Sequence, residues 1–200
     1  MKKIITLVTV VAAFSTSAFA QVSNFTGYSA GVNLDHTAVT SSLSDSTFEF
    51  DALGQHSVGL SLQGAYGVAL SPTTVLGVGA TYSLTEAKAG YLKETTGSVT
   101  FKAKNATSIY FEPGLLVNEK TLAYGKLSYE TVKMTADGAS GGDKNISGVG
   151  YGFGLRTMLD KAWSLQAEVK HVAYDSEKMD SATDFKTKAT IGSIGVGYKF

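Results

Sequence analysis

Six charged side chains, Glu112, Lys126, Glu130, Arg156, Glu168 and Lys170, each fall on the less apolar face of a segment whose apolar residues recur at every second position. Successive side chains of a strand point to opposite faces, so all six turn away from the hydrophobic face. Folding the segment through Glu112 onto that through Lys126, about the turn near Asn118 to Thr121, sets Glu112 opposite Lys126 or one pair diagonal to it. The next hairpin brings Arg156 diagonally near Glu168. The chemistry is that of ion pairs in a confined interior. Such pairs either neutralise buried charge as a fixed network or, if partners exchange, line a narrow ion pathway.

The other reactive residue types are sparse. His36 and His56 flank the first long polar segment, and His171 falls near the end of a later strand. Imidazoles coordinate metals and activate serines, but nothing in the spacing assembles either site. His56 and Ser57 have the types of a hydrolytic pair, yet adjacent strand residues face opposite ways. Gly148-Val149-Gly150 and Gly195-Val196-Gly197 lack the third glycine and following helix of a dinucleotide loop. Asn24-Phe25-Thr26, Asn105-Ala106-Thr107 and Asn145-Ile146-Ser147 match the glycosylation triplet only at strand edges. Asp137 and Asp143 sit in a glycine-rich polar segment and read as solvated loop residues. No catalytic, cofactor or metal site is expected.

The 200 residues, with 17 basic and 17 acidic side chains, 22 glycines and no cysteine, exclude several classes. Disorder requires low hydrophobicity and excess charge, whereas 44% of this chain is hydrophobic. Nucleic-acid binding draws on a basic surface, and no basic stripe is present. Without cysteine there is no disulfide framework and no thiolate chemistry. Lys2 and Lys3, the apolar run Ile4 to Phe14, and Ala18-Phe19-Ala20 predict a signal peptide over 1–20, cleaved after Ala20. Removing its two lysines leaves 15 basic and 17 acidic residues, a formal charge of −2, in the domain over 21–200. No later stretch is apolar for the ~20 residues that a transmembrane helix needs.

Period-two alternation predicts eight strands. Tyr28 to Leu34, Val58 to Leu70, Leu76 to Leu84, Ile109 to Val117, Ala123 to Tyr129, Val149 to Leu155, Trp163 to Val169 and Ile194 to Phe200 each set apolar residues against small or polar ones. Ser71 to Thr74, Asn118 to Thr121 and Asp160-Lys161 are tight turns. Between them lie long polar segments, roughly 36–55, 85–105, 134–146 and 175–187. Short and long connections therefore segregate to opposite ends of an up-and-down sheet, as in transmembrane barrels with short periplasmic turns and longer outer loops. The face opposite the apolar one is rich in Gly, Ser and Ala, which suits a crowded interior rather than a water-facing exterior. An eight-stranded barrel is just wide enough for its interior side chains. A soluble lipocalin-like barrel is the rival architecture.

Aromatic residues fall near both ends of the strands. Phe25, Tyr66, Trp163, Tyr198 and Phe200 are expected near the short turns, and Tyr82, Tyr129 and Tyr174 near the long loops, as two interfacial belts. Within the first two loops, Asp45, Glu49 and Asp51 are acidic and Lys88, Lys93, Lys102 and Lys104 basic. Phe48/Phe50 and Val99/Phe101 alternate with polar residues and predict paired arms above the membrane. Counting the arms as two further strands would make a ten-stranded barrel instead.

The last seven residues, Ile194-Gly195-Val196-Gly197-Tyr198-Lys199-Phe200, resemble the terminal signature by which the barrel assembly machinery recognises outer-membrane barrels. Tyr198 and Phe200 would be its aromatic elements. With the signal peptide and the strand pattern, residues 21–200 resemble the OmpA-like and opacity-type family of small eight-stranded outer-membrane β-barrels. The resemblance implies an all-β, antiparallel, up-and-down transmembrane barrel in contact with outer-membrane lipid and lipopolysaccharide. It implies no cofactor and a non-enzymatic structural or surface role, through loops able to meet a host or surface ligand. The second domain of full-length OmpA-type proteins has no counterpart here, so its peptidoglycan binding does not carry over. A narrow porin-like channel is the second functional expectation. A lipid-modifying envelope enzyme is a third.

Overall fold

The computed structural model describes residues 22–44, 49–51, 55–94, 97–137, 143–175, 177–180 and 183–200. The expected signal peptide, Asp45 and Phe48 lie outside these residues. After a 3-10 turn at Ser23–Phe25 come β1 (Gly27–Ser44), β2 (Glu49–Asp51), β3 (Gln55–Ala69), β4 (Thr74–Ser83), β5 (Ala87–Glu94) and β6 (Gly97–Asn118). They are followed by β7 (Thr121–Asp137), β8 (Lys144–Met158), β9 (Trp163–Tyr174), β10 (Glu177–Asp180) and β11 (Thr183–Lys199).

Eight of these strands, in the order β1-β3-β4-β6-β7-β8-β9-β11, form an antiparallel wall that closes by pairing β11 with β1. The remaining three prolong it. Phe50 of β2 pairs with Leu43 of β1, and Val99 and Phe101 of β6 pair with Leu92 and Gly90 of β5. The arms thus extend existing strands and do not make ten, because each lies beside the upper end of a barrel strand rather than within the circuit.

One hydrogen-bonded row shows how the wall closes. It runs from Ala30 through Gly64, Ala80, Ile109, Tyr129, Val149, Ala173 and Lys188. It returns to β1 at Thr40, ten residues above its start. That stagger on eight strands tilts them by ~40° to the barrel axis and leaves an interior that side chains can fill.

Alternation decides what faces where. Leu34, Leu60, Val78, Ile109, Leu127, Val149, Phe153 and Ile194 are all outward and exposed. A soluble protein rarely exposes an apolar patch beyond a few hundred Å², so a continuous apolar band around the wall is matched only by hydrocarbon. Two backbone departures shape the ends. Gly27, at φ +88°, turns the chain sharply from the 3-10 turn into β1. Asn105, at φ 50°, sits where the β6–β7 register shifts between Lys104 and Thr107, and it accepts a 3.3 Å hydrogen bond from the Tyr82 hydroxyl.

The short turns are closed by their own side chains. Asn118 Oδ1 accepts from the Lys120 N–H at 2.9 Å. Asp160 Oδ1 accepts from Ala162 N–H at 2.8 Å and Trp163 N–H at 2.7 Å. These two bonds, Trp163 the larger, hold the Asp160 carboxyl below its ordinary pKa. A carboxylate with a depressed folded-state pKa contributes stability above its unfolded pKa and loses it as pH falls through the folded value. Asp160→Asn is therefore expected to be less stable than wild type at neutral pH, with the difference vanishing as pH falls below the ordinary carboxylate range. Urea unfolding of the refolded barrel across that range measures it.

Candidate functional site: the ionic lumen

The even-numbered positions of β6 to β9 bring the six charged residues into the barrel interior. Lys126, from β7, is buried between two acids. Its Nζ pairs with Glu168 Oε2 of β9 and lies 3.6 Å from Glu112 Oε2 of β6. It also stands 4.3 Å from the centroid of the Tyr110 ring, in reach of the ring's negative face. Arg156 of β8 crosses to Glu112 Oε1 at 2.9 Å, and Lys170 of β9 reaches Glu130 Oε1 of β7 at 2.7 Å. These six side chains carry balanced charge, which a narrow low-dielectric interior requires.

Arg156 departs from the expected pairing. Its diagonal neighbour Glu168 instead accepts from Lys126 and from the Tyr124 hydroxyl at 3.0 Å. The Arg156 guanidinium stacks 5.1 Å from the Tyr124 ring centroid, and its Nε donates to Gln166 Oε1 at 3.1 Å. On the concave inner face a long side chain from β8 reaches over β7 to β6. Gln166, in turn, donates to Asn33 Oδ1 at 2.7 Å and Gln63 Oε1 at 3.0 Å. The network so joins the ionic part of the wall to β1, β3 and β4, where Asn33, Ser61, Gln63, Thr81 and Ser83 are uncharged and polar.

Tyr110, Tyr124, Gln166, Asn33 and Gln63 were not singled out from the sequence. The available signal was parity, since Tyr110, Tyr124 and Gln166 share the even spacing of the charged residues.

Apolar layers bracket the ions. Near the short turns, Val22 and Phe25 pack with Val75, Leu122 and Met158, beside Ala69 and Leu116. Phe25 is thus not an interfacial aromatic: the 3-10 turn breaks the strand period and folds its ring into the lumen. Asn24 Nδ2 fixes this turn by donating to Glu119 O at 3.2 Å, and Lys199 Nζ donates to Ser23 O. Toward the loops, Val39, Val172 and Ala189 form a second layer with Tyr174 and Ile191. Tyr174 also turns inward, because it shares the parity of Glu168 and Lys170.

The other expected aromatics face outward. Tyr66 lies 4.7 Å from Tyr28, Trp163 5.1 Å from Tyr198, and Tyr198 5.2 Å from Phe200, all measured between ring centroids. Tyr82 and Tyr129 are exposed on the same outer surface. His56 points outward and Ser57 inward, and Asp143 pairs with Lys133 at 2.6 Å.

A closed eight-stranded up-and-down barrel with an apolar outer band and a polar, ion-paired interior defines a transmembrane barrel of the outer-membrane type. The family model described as "Outer membrane protein beta-barrel domain" matches residues 6–200, and the chain belongs to that family. Among solved structures it is similar to the outer membrane protein OprG from Pseudomonas aeruginosa. That likeness has a TM-score of 0.52 and 13% identity, over 88% of this chain and 96% of that one. It is also similar to Ail, the attachment invasion locus protein of Yersinia pestis, with a TM-score of 0.47 and 20% identity over 88% and 99% of the two chains. Neisserial surface protein A matches with a TM-score of 0.45 and 16% identity over 84% and 97%. At 13% identity the likeness to OprG is one of fold. No curated protein matches the sequence.

Proposed function

We propose that this protein is a non-enzymatic surface protein of the outer membrane, whose barrel is a sealed anchor and whose outer loops meet a host, surface or envelope ligand. The observation that carries the reading is Lys126, whose side chain is 3% exposed and is held between Glu112 and Glu168. A cation so enclosed and doubly paired plugs a lumen rather than passing ions through it, and an apolar cluster packs below it at the short-turn end. Residues 1–20 act as the export signal, and Tyr198 and Phe200 are read by the barrel assembly machinery. Outward aromatics, Tyr66 and Trp163 at one end and Tyr82 and Tyr129 at the other, hold the barrel at the two interfaces.

A narrow channel is the second reading. It is favoured by a cavity of about 110 Å³ toward the loops, where Asp35, Ser61, Thr81 and Ser83 stand beside Val39 and Ile191. Conductance of the refolded barrel in planar bilayers separates the two. The anchor reading expects no steady openings from the wild type. Discrete openings that change when Lys126 or Arg156 is replaced would establish the channel instead.

A further inference from the structure

Two of the three imidazoles meet across a single ladder. His36 of β1 pairs with Val58, and His56 of β3 pairs with Ala38, so the two histidines are diagonal neighbours on the outer surface. Diagonal partners on one face lie within reach of each other's longer side chains. Their ring centroids are 5.4 Å apart, with 39° between the planes, and both residues are exposed. They stand next to Leu34 and Val58, the outward residues at the loop-side margin of the apolar band on these strands.

The pair differs from His171. There, Nδ1 shares a 3.1 Å hydrogen bond with Thr190 Oγ1, and the ring lies 5.4 Å from that of Tyr151. Neither His36 nor His56 makes a hydrogen bond among the described residues. A plain ring contact is served equally well by tyrosines, as at Tyr28 and Tyr66. It gives no reason for two imidazoles whose nitrogens are free.

The separation is that of a chelate. A tetrahedral Zn2+ binds imidazole nitrogen at ~2.0–2.1 Å, which sets the centroids of two rings on neighbouring corners ~5.2 Å apart. Adjacent corners of a square would bring them to ~4.5 Å.

We propose that His36 and His56 form a bidentate site, on the outer wall, for a divalent transition-metal ion of tetrahedral preference, with Zn2+ the matching case. Each neutral ring supplies one nitrogen lone pair. The cross-strand partners Val58, Gly192 and Ala38 offer no donor side chain. No group of three or more His, Asp or Glu able to hold an ion occurs among the described residues. Water therefore fills the other two positions, and the site is open and exchangeable rather than a closed structural one. Because the ladder holds both ligands before the ion arrives, the second bond is intramolecular and strengthens the first. The site lies outside the lumen, so it does not depend on the sealed-anchor reading.

The test uses the whole refolded barrel in detergent, without a histidine tag. Calorimetric titration with Zn2+ is expected to show one saturable site per barrel. NMR spectra of the barrel labelled with nitrogen-15 histidine are expected to shift at His36 and His56 and not at His171. His36→Phe and His56→Phe keep a ring in place while removing the nitrogens, and each is expected to weaken Zn2+ binding at least about tenfold. His171→Phe is expected to bind as the wild type does. All three variants must first show the heat-dependent gel mobility of a folded barrel. No saturable Zn2+ binding by the wild type, or undiminished binding in both of the first two variants, overturns the site. A loss confined to one of those two overturns the bidentate geometry, and an equal loss in His171→Phe overturns the assignment to this pair.

Discussion

Lys126→Met is expected to lower the unfolding free energy of the refolded barrel by about 3–5 kcal/mol, the cost of leaving a buried charge without its partner. Methionine fills much of the volume of the lysine stem, so the packing against Tyr110 is largely kept while the cation is lost. Glu112 keeps Arg156 at 2.9 Å, but Glu168 is left with the neutral Tyr124 hydroxyl. The charge of the network then changes from balanced to net negative. Lys126→Met combined with Glu168→Gln restores the balance and is expected to recover most of the loss, because removing both members of a buried pair is far cheaper than removing one. Urea titration in micelles, followed by the gel mobility of the folded band, measures both. A single-variant loss below about 1 kcal/mol would mean that water solvates the orphaned carboxylate, and a wetted lumen would favour the channel reading.

The second large effect is steric. Tyr110 and Tyr124 each lie across the strand from a glycine, Gly79 and Gly154, and each ring occupies the space a side chain there would need. A Cβ at Gly79 would stand 2.5 Å from the Tyr110 ring and 2.5 Å from Gly64 O. At Gly154 it would stand 2.5 Å from the Tyr124 ring and 2.7 Å from Ala167 O. Neither ring can yield cheaply, since Tyr110 lies beneath Lys126 and Tyr124 is bonded to Glu168 and stacked with Arg156. Gly79→Val and Gly154→Val are each expected to cost about 3 kcal/mol, the upper part of the range for overpacking. Gly64→Ala is the control, because its Cβ would point outward and meet nothing within 4 Å. It is expected to change stability by no more than about 0.5 kcal/mol. Equal losses at all three positions would show that glycine matters here for the backbone and not for the tyrosines.

Legible in the chain alone were the eight spanning strands, the segregation of short turns from long connections, and the side of the sheet on which each charged residue stands, whereas the ladders were needed to keep the arms out of the circuit. These follow from local rules, since a period of two depends only on the chain's own geometry. His56 and Ser57 could be separated on that basis, and Glu112 could be set against Lys126 because one tight turn fixes their register.

Which distant groups meet depends on the folded wall. Arg156 reaches over β7 to Glu112 rather than to Glu168 because Glu168 is taken by Lys126 and the Tyr124 hydroxyl. Phe25 fills the lumen because a 3-10 turn ends the alternation and folds beneath the barrel. Tyr174 shares the inward parity of Glu168 and Lys170, which its height along the strand does not show. His171 stands on the row of Ala38 and His56 only because β11 closes on β1, with a ten-residue stagger that levels β9, β11, β1 and β3. That stagger is a property of the closed circuit, set by every ladder around it at once, and no single hairpin encodes it.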